Sequence, residues 1–326
     1  MANMTMIQAI QDAMRVAMEA DSRVLVLGED IGKNGGVFRA TEGLMAAFGE
    51  NRVIDTPLAE SGIIGTAVGL ALNGMRPIAE IQFLGFIYET MDQVSAQAAR
   101  MRFRSQGRFS VPMVIRSPFG GGVRTPELHS DSLEALFLHS PGIKVVMPSN
   151  PYDAKGLLLA ALADDDPVLF LEPMKLYRAF RGEVPEGSYQ VPLGKANVVQ
   201  EGNDVTVIAW GPTVPVALEA AKSVSDQQGV SCEVIDLRTI SPIDIDTIVN
   251  SVQKTGKAVI VHEAVRAGGV GAEITAQINE RAFLSLEAPV ARVTGYDTPY
   301  PVPTLEDYWL PDAKRTGEAI LRTVHF

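Results

Sequence analysis

Apolar residues occur along this chain in short unbroken runs rather than alternating with polar ones. VLVLG (24–28), RVIDTP (52–57), RPIAEIQF (76–83), PMVIRSP (112–118), KVVMPS (144–149) and PVLFLEP (167–173) are separated by longer stretches of helical spacing. A strand without polar alternation needs cover on both faces, and strands separated by helices join by crossovers into parallel sheets. The pattern predicts an α/β fold. Between 181 and 203 it lapses into RGEVPEGSYQVPLGKANVVQEGN, then resumes with DVTVIAW (204–210), CEVIDLR (232–238), KAVIVHE (257–263) and PVARVTG (289–295). We place a linker at about 186–199, between a first domain over 1–185 and a second over 200–326. A length of 326 residues suits two domains.

Charge narrows the partners. With 28 Lys+Arg against 39 Asp+Glu the net charge is −11, which disfavours nucleic acid and anionic membrane surfaces. A single Cys leaves no disulfide framework and no cysteine-built metal site, which points to a reducing compartment. MANMTMIQAIQDAM lacks a basic stretch followed by an apolar one, and no run approaches the roughly 20 apolar residues of a membrane span. A soluble, cytoplasmic protein is expected.

The familiar nucleotide and hydrolase signatures are missing: no G-x-G-x-x-G follows the first strand, and there is no G-x-x-x-x-G-K-[ST], H-E-x-x-H or G-x-S-x-G. Gly120, Gly121 and Gly122 lack the spacing of a phosphate cradle and read better as a tight turn. Three other segments could carry chemistry. In DTPLAESGIIGTAVGLALNG (55–74) a strand ends, Glu60 follows in the turn, and a helix begins whose Gly62, Gly65 and Gly69 fall near one face. Glu60 could be a carboxylate stabilised by the helix dipole or a reactive acid. Next, EIQFLGFIYETMDQVSAQAARMRFRSQGR (80–108) leads a strand into a helix with Phe83, Phe86, Tyr88, Glu89 and Asp92 near its start, either core aromatics or a flat ligand slot. Arg100, Arg102, Arg104 and Arg108 close it as the one dense basic cluster, which a solvated or subunit-facing helix end accounts for. Finally, in RTPELHSDSLEALFLHS (124–140), Ser130 or Asp131 could cap the following helix and leave His129 free to face a cleft.

Taken together with GEDIGKNGGVFRATEGL (28–44), PSNPYDAKGLL (148–158) and HEAVRAGGVGAEI (262–274), these segments resemble the β subunits of thiamine-diphosphate-dependent 2-oxoacid dehydrogenases. The match is strongest with the bacterial pyruvate dehydrogenase branch and covers essentially the whole chain. It implies a transketolase-like pyrimidine-binding domain followed by a transketolase C-terminal-like α/β domain. By the resemblance, Glu60 matches the glutamate that hydrogen-bonds the cofactor pyrimidine and drives it to the imino tautomer. Phe86 matches the aromatic packed on that ring, with Leu58 and Gln82 beside it; Glu29 and Asp92 match acidic positions of a proton relay. His129 matches the histidine near substrate and incoming lipoyl group, and Ala161, Leu162, Asp164 and Asp166 a structural monovalent-cation site, with potassium the ion expected. Asp166 stands where some relatives have asparagine.

The same family holds the diphosphate through magnesium on a G-D-G motif, and this chain has none. The resemblance therefore implies a separate α subunit that holds Mg2+, in an assembly of two α and two β chains. It also implies docking of the second domain to the subunit-binding domain of a dihydrolipoamide acyltransferase core, whose lipoyl domain collects the acyl group. The acidic balance, including Glu287 and the carboxylate of Phe326, suits a basic docking partner, although a generally acidic surface accounts for it equally well. Rival readings are the same chemistry on branched-chain 2-oxoacids or acetoin, and a non-catalytic scaffold subunit.

Overall fold

The computed structural model describes residues Met1–Phe326. All ten apolar runs are strands. Those of the first half are β2 (Val24–Gly28), β3 (Val53–Asp55), β4 (Arg76–Glu80), β5 (Val114–Phe119), β6 (Lys144–Val146) and β7 (Val168–Pro173). Those of the second are β10 (Val205–Ala209), β11 (Cys232–Asp236), β13 (Ala258–Val265) and β14 (Ala291–Gly295). Four further strands were not legible in the pattern: β1 (Ala2–Thr5), β8 (Arg181–Val184), β9 (Asn197–Gln200) and β12 (Thr239–Ser241). Each is short and pairs antiparallel at an edge, where one neighbour suffices and no long apolar run is needed.

The first sheet runs β12-β6-β7-β5-β4-β2-β3 and the second β14-β13-β10-β11-β9, both parallel apart from the β12 and β9 edges. Alternate residues of β2 serve the two faces. Val24 and Val26 meet the helices Met6–Ala20 and Pro151–Ala163 through Ile10, Met14, Leu157 and Leu158. Leu25 and Leu27 join Ile63, Ile64 and Ala67 of the helix Glu60–Leu72, in an apolar cluster that continues to Ile208, Ile235 and Ile260 of the second sheet.

Two details depart from the expected division. β9 begins at Asn197, inside the expected linker, and β12 leaves the second half to pair with β6, Thr239 opposite Val146. Buried polar groups fasten this crossing. Ser149 Oγ donates to Asp236 Oδ2 at 2.5 Å, Arg238 Nε to Asp153 Oδ2 at 3.0 Å, and the Met147 N–H to the Arg238 carbonyl at 2.8 Å. Burial pushes the Asp236 carboxyl up to about 7 against the Ser149 hydrogen bond, and the Asp153 charge adds to the rise.

Inside the first sheet lies an ionic cluster. Arg116 on β5 donates to Glu80 of β4 at 2.7 Å and to both carboxylate oxygens of Glu172 of β7 at 2.5 and 2.9 Å, while Tyr177 Oη donates to Glu172 at 2.6 Å. All four residues are buried. Burial pulls the Arg116 guanidinium down, but the Glu172 and Glu80 charges outweigh it and hold the group above its usual range; burial raises Glu80 despite Arg116.

Two outcomes test this account. Arg116→Ala, which strands two buried carboxylates, lowers stability by about 3–5 kcal/mol in urea unfolding. Because the folded Asp236 pKa lies above its ordinary 3.8, the native chain holds an extra proton between the two values, and stability falls as pH rises from about 4 to 7. Asp236→Asn flattens that slope in unfolding measured across the same pH range.

Candidate functional site

The chain passes from β2 to β3 on one side, then crosses to β4 on the other side of β2, so the loops leaving these strands diverge over a crevice at their carboxyl ends. Glu29 follows β2, Glu60 follows β3, Gln82 and Phe86 follow β4, and His129 follows β5. Sheet order thus brings to one edge residues far apart in sequence.

Glu60 is the first residue of its helix and only 5% exposed; the N-cap is Ala59, and no side chain caps the helix. The dipole still favours its charge there. Glu29 is half-buried, and its Oε1 is shut from solvent with no hydrogen-bond partner. Burial raises the Glu29 carboxyl, and the nearby charges of Glu60 and Asp30 raise it further. The turns that hold this acid pair are pinned: the Asp55 carboxylate accepts from the Gly32 and Lys33 N–H groups at 2.6 and 3.2 Å, and the Thr56 N–H donates to the Gly28 carbonyl at 3.0 Å. Ser61 Oγ donates to the Glu89 carbonyl at 2.5 Å, which ties the helix start to the next segment.

That segment is not the regular α-helix expected. Leu84–Thr90 is a 3-10 helix and Asp92–Ala98 a π-helix, a form often found at functional sites. Gly85 is required here, since a Cβ on it would lie 1.9 Å from the Leu128 carbonyl oxygen. That close approach brings three rings together. The His129 imidazole meets Phe83 and Phe86 edge-on, with centroids 4.5 and 5.1 Å apart, and Phe83 and Phe86 are 6.0 Å apart. Phe83 is core, whereas Phe86 and His129 are half-buried, and His129 Nδ1 is shut from solvent without a partner.

The expected cap after His129 is corrected. The following helix, Glu134–Leu138, is N-capped by Leu133 with no side-chain bond; Ser130 Oγ instead shares a 2.7 Å hydrogen bond with Thr125 Oγ1. Burial and then Glu127 push Asp131 up to about 6. Of the remaining expected residues, Gln82 is half-buried, while Leu58 and Asp92 are exposed, Leu58 at 80%. Gly62, Gly65 and Gly69 face no crowding from this chain: a Cβ on Gly69 would meet nothing within 4 Å.

The residues expected around a monovalent cation sit apart from this site, before β7 and so at the amino end of the sheet. Arg76 Nη1 donates to the Leu162 and Asp164 carbonyls at 3.0 and 2.9 Å, Lys144 pairs with the Asp164 carboxylate at 2.8 Å, and Arg102 with Asp166 at 2.6 Å. As placed, these acceptors are met by cations of the chain itself and do not fit a bare ion. Arg102, read from sequence as part of a solvated or subunit-facing helix end, is exposed in the last turn of its helix and also pairs with Asp166. The Gly121 N–H donates to Glu263 Oε1 at 2.6 Å, so a carboxylate stands where a phosphate would have to bind. Glu287 pairs with Lys257 at 2.5 Å, and Phe326 is exposed. A groove of about 570 Å3 between the helices Glu134–Leu138 and Val270–Ala282 shares none of the residues gathered at the crevice. No helix is long and apolar enough to cross a membrane.

Comparison with known proteins agrees with this architecture. Residues 2–179 match the transketolase pyrimidine binding domain and residues 194–316 the transketolase C-terminal domain. The chain is 60% identical over 326 residues, all of both chains, to the pyruvate dehydrogenase E1 component subunit beta of Bacillus subtilis (strain 168). It is 56% identical, again over all of both chains, to that of Staphylococcus aureus (strain Mu50 / ATCC 700699). Among solved structures it is similar to a split-gene transketolase described as an inactive β4 tetramer, with TM-score 0.80, 24% identity and 99% of each chain covered. A transketolase from Leishmania mexicana gives TM-score 0.71 at 17% identity, over 100% of this chain and 46% of that one.

The acid pair can be tested directly. Glu60→Gln removes one of the charges that raise Glu29, so the Glu29 pKa falls toward its ordinary value while the part due to burial remains. A carboxyl-carbon NMR titration of glutamate-labelled chain reads the change.

Proposed function

Because the chain belongs to the pyruvate dehydrogenase E1 β-subunit family, whose members depend on thiamine diphosphate and work with an α subunit, we propose that its crevice is the β-side half of the site that decarboxylates pyruvate and passes the acetyl group to a lipoyl arm. The observation that carries this reading is the gathering of Glu60, Glu29, Phe86 and His129 at the carboxyl ends of adjacent strands. Glu29 Oε1 and His129 Nδ1 are left buried there without partners in this chain. Buried polar atoms normally find partners, and a heteroaromatic ring with its substrate would supply them.

When bound, thiamine diphosphate supplies the nucleophilic carbon and the electron sink for loss of carbon dioxide. The residues do the rest. Glu60, 5% exposed at the first residue of its helix, hydrogen-bonds a pyrimidine nitrogen and shares a proton with it when the cofactor is bound. Phe86 offers a ring face to the aminopyrimidine, flanked by Leu58 and Gln82. Glu29, with its raised pKa, and Asp92 relay protons between the active sites of the assembly. His129 orients the lipoyl acceptor or supplies its proton.

The G-D-G half-site and its Mg2+ belong to the α subunit, two α and two β chains forming the assembly. The uncrowded Gly62, Gly65 and Gly69 face gives an α-chain backbone room to approach. The second domain docks the subunit-binding domain of the acyltransferase core through its acidic surface, and the complex works in the cytoplasm. The proposal needs no potassium ion, since Arg76, Lys144 and Arg102 already meet the charge of the loop at 161–166.

In the enzyme reconstituted with its α subunit, Glu60→Gln leaves assembly intact and lowers pyruvate decarboxylation by about 10²-fold or more, the usual size of lost acid–base help. An unchanged turnover number in that assay supports the scaffold reading instead.

A further inference from the structure

We propose that Glu263 and Glu306, two buried carboxylates of the second domain, are positioning residues that hold the loop carrying His129. The inference rests on the role given to His129 above. Leaving β5, the chain runs from Gly120 to Asp131 with one short 3-10 turn, Glu127–His129, in which the Ser130 N–H donates to the Glu127 carbonyl at 3.0 Å. The Gly120 N–H donates to the Asp131 carbonyl at 3.2 Å, and the Thr125 and Ser130 hydroxyls meet at 2.7 Å. The His129 N–H donates to the Pro126 carbonyl at 2.9 Å, but the imidazole itself is held by packing on Phe83 and Phe86, and its Nδ1 has no partner.

The second domain supplies the grip. Glu263 Oε1, in the carboxyl half of β13, accepts from the Gly121 N–H at 2.6 Å and from Ser132 Oγ at 3.1 Å, so one oxygen holds the chain on both sides of the loop. Further along, the Arg124 N–H donates to the two Glu306 oxygens at 3.3 and 3.1 Å, and the Arg124 guanidinium pairs with Asp307 at 2.7 Å. Tyr300 Oη donates to Glu306 at 2.9 Å and is backed by the Trp309 ring, with centroids 4.9 Å apart.

The glycines make this approach possible. Gly120 has a φ of +82°, and a Cβ on Gly121 would lie 1.7 Å from Tyr300 Oη. Any side chain at Gly121 would drive the two domains apart at this point. Hydrogen bonds from backbone N–H groups to buried carboxylates are charge-assisted and act in a low dielectric, which makes them strong enough to hold the loop against the second domain. Burial pushes Glu263 up to about 7 against these hydrogen bonds, a cost more often met at working sites than in inert packing.

The test uses the enzyme assembled with its α subunit and compares two rates. One is pyruvate decarboxylation with ferricyanide as electron acceptor, and the other is acetyl transfer to an isolated lipoyl domain. His129→Ala fixes the reference by lowering transfer more than decarboxylation. Glu263→Ala and Glu306→Ala then lower transfer at least tenfold more than decarboxylation, while Glu263→Gln, which keeps an acceptor oxygen for Gly121, recovers most of the loss. Hydrogen exchange of the peptide at 120–131 rises in the alanine variants. Assembled variants that lose both rates equally, or neither, overturn the proposal. Should Glu263→Ala fail to assemble, Tyr300→Phe is read by the same ratio and the same exchange. If His129→Ala leaves the ratio unchanged, the catalytic reading of His129 fails by itself; unchanged exchange in the Glu263 and Glu306 variants means that the carboxylates do not hold the loop.

Discussion

Everything at the carboxyl edge of the first sheet depends on Arg116, held between Glu80 and Glu172 inside three adjacent strands. A buried ion pair of this kind adds little net stability compared with apolar packing, yet it tolerates only one arrangement of its partners. Here the arrangement fixes where β4 ends, and therefore where Gln82, Leu84 and Phe86 begin. It also fixes Glu172, to which Tyr177 donates, and Tyr177 packs on Phe38 from the loop after β2. The Phe38 ring packs in turn on Phe83. A charged cluster in the sheet thus reaches the aromatic group around His129 through ring contacts.

Fold class was legible because parallel strands covered on both faces leave long apolar runs, and all ten such runs are strands. The edge strands escaped notice for the complementary reason. β9 is half-buried throughout and β1 never fully buried, so neither needs an apolar run. The pairing of β12 with β6 was hidden because nothing in a three-residue strand says which sheet it will join.

The candidate site was legible one residue at a time and not as a cluster. Glu60 stood out by its turn and His129 by its loop, but their common edge follows from sheet order, which no local pattern encodes. The helix expected after β4 is 3-10 and then π, and its Gly85 meets the Leu128 carbonyl, a contact between segments far apart in sequence. Glu263 and Glu306 passed as ordinary acidic residues, since each accepts a backbone N–H of the other domain, and a backbone donor leaves no mark on composition. Arg102 is exposed at a helix end as the basic cluster suggested, but its ion-pair partner Asp166 lies 64 residues away in sequence and left no local signal.

The β12 edge gives the molecule a mechanical character. A strand lent by one domain to the sheet of the other, and locked by Ser149 to Asp236 and Arg238 to Asp153, works as a weld rather than a hinge. Bending the two halves apart would peel a sheet edge and expose buried carboxyl groups. The crevice over β2 and β4 lies on the same sheet that this strand extends. Whatever enters or leaves it must do so past loops and neighbouring subunits, with the body of the chain as a rigid floor.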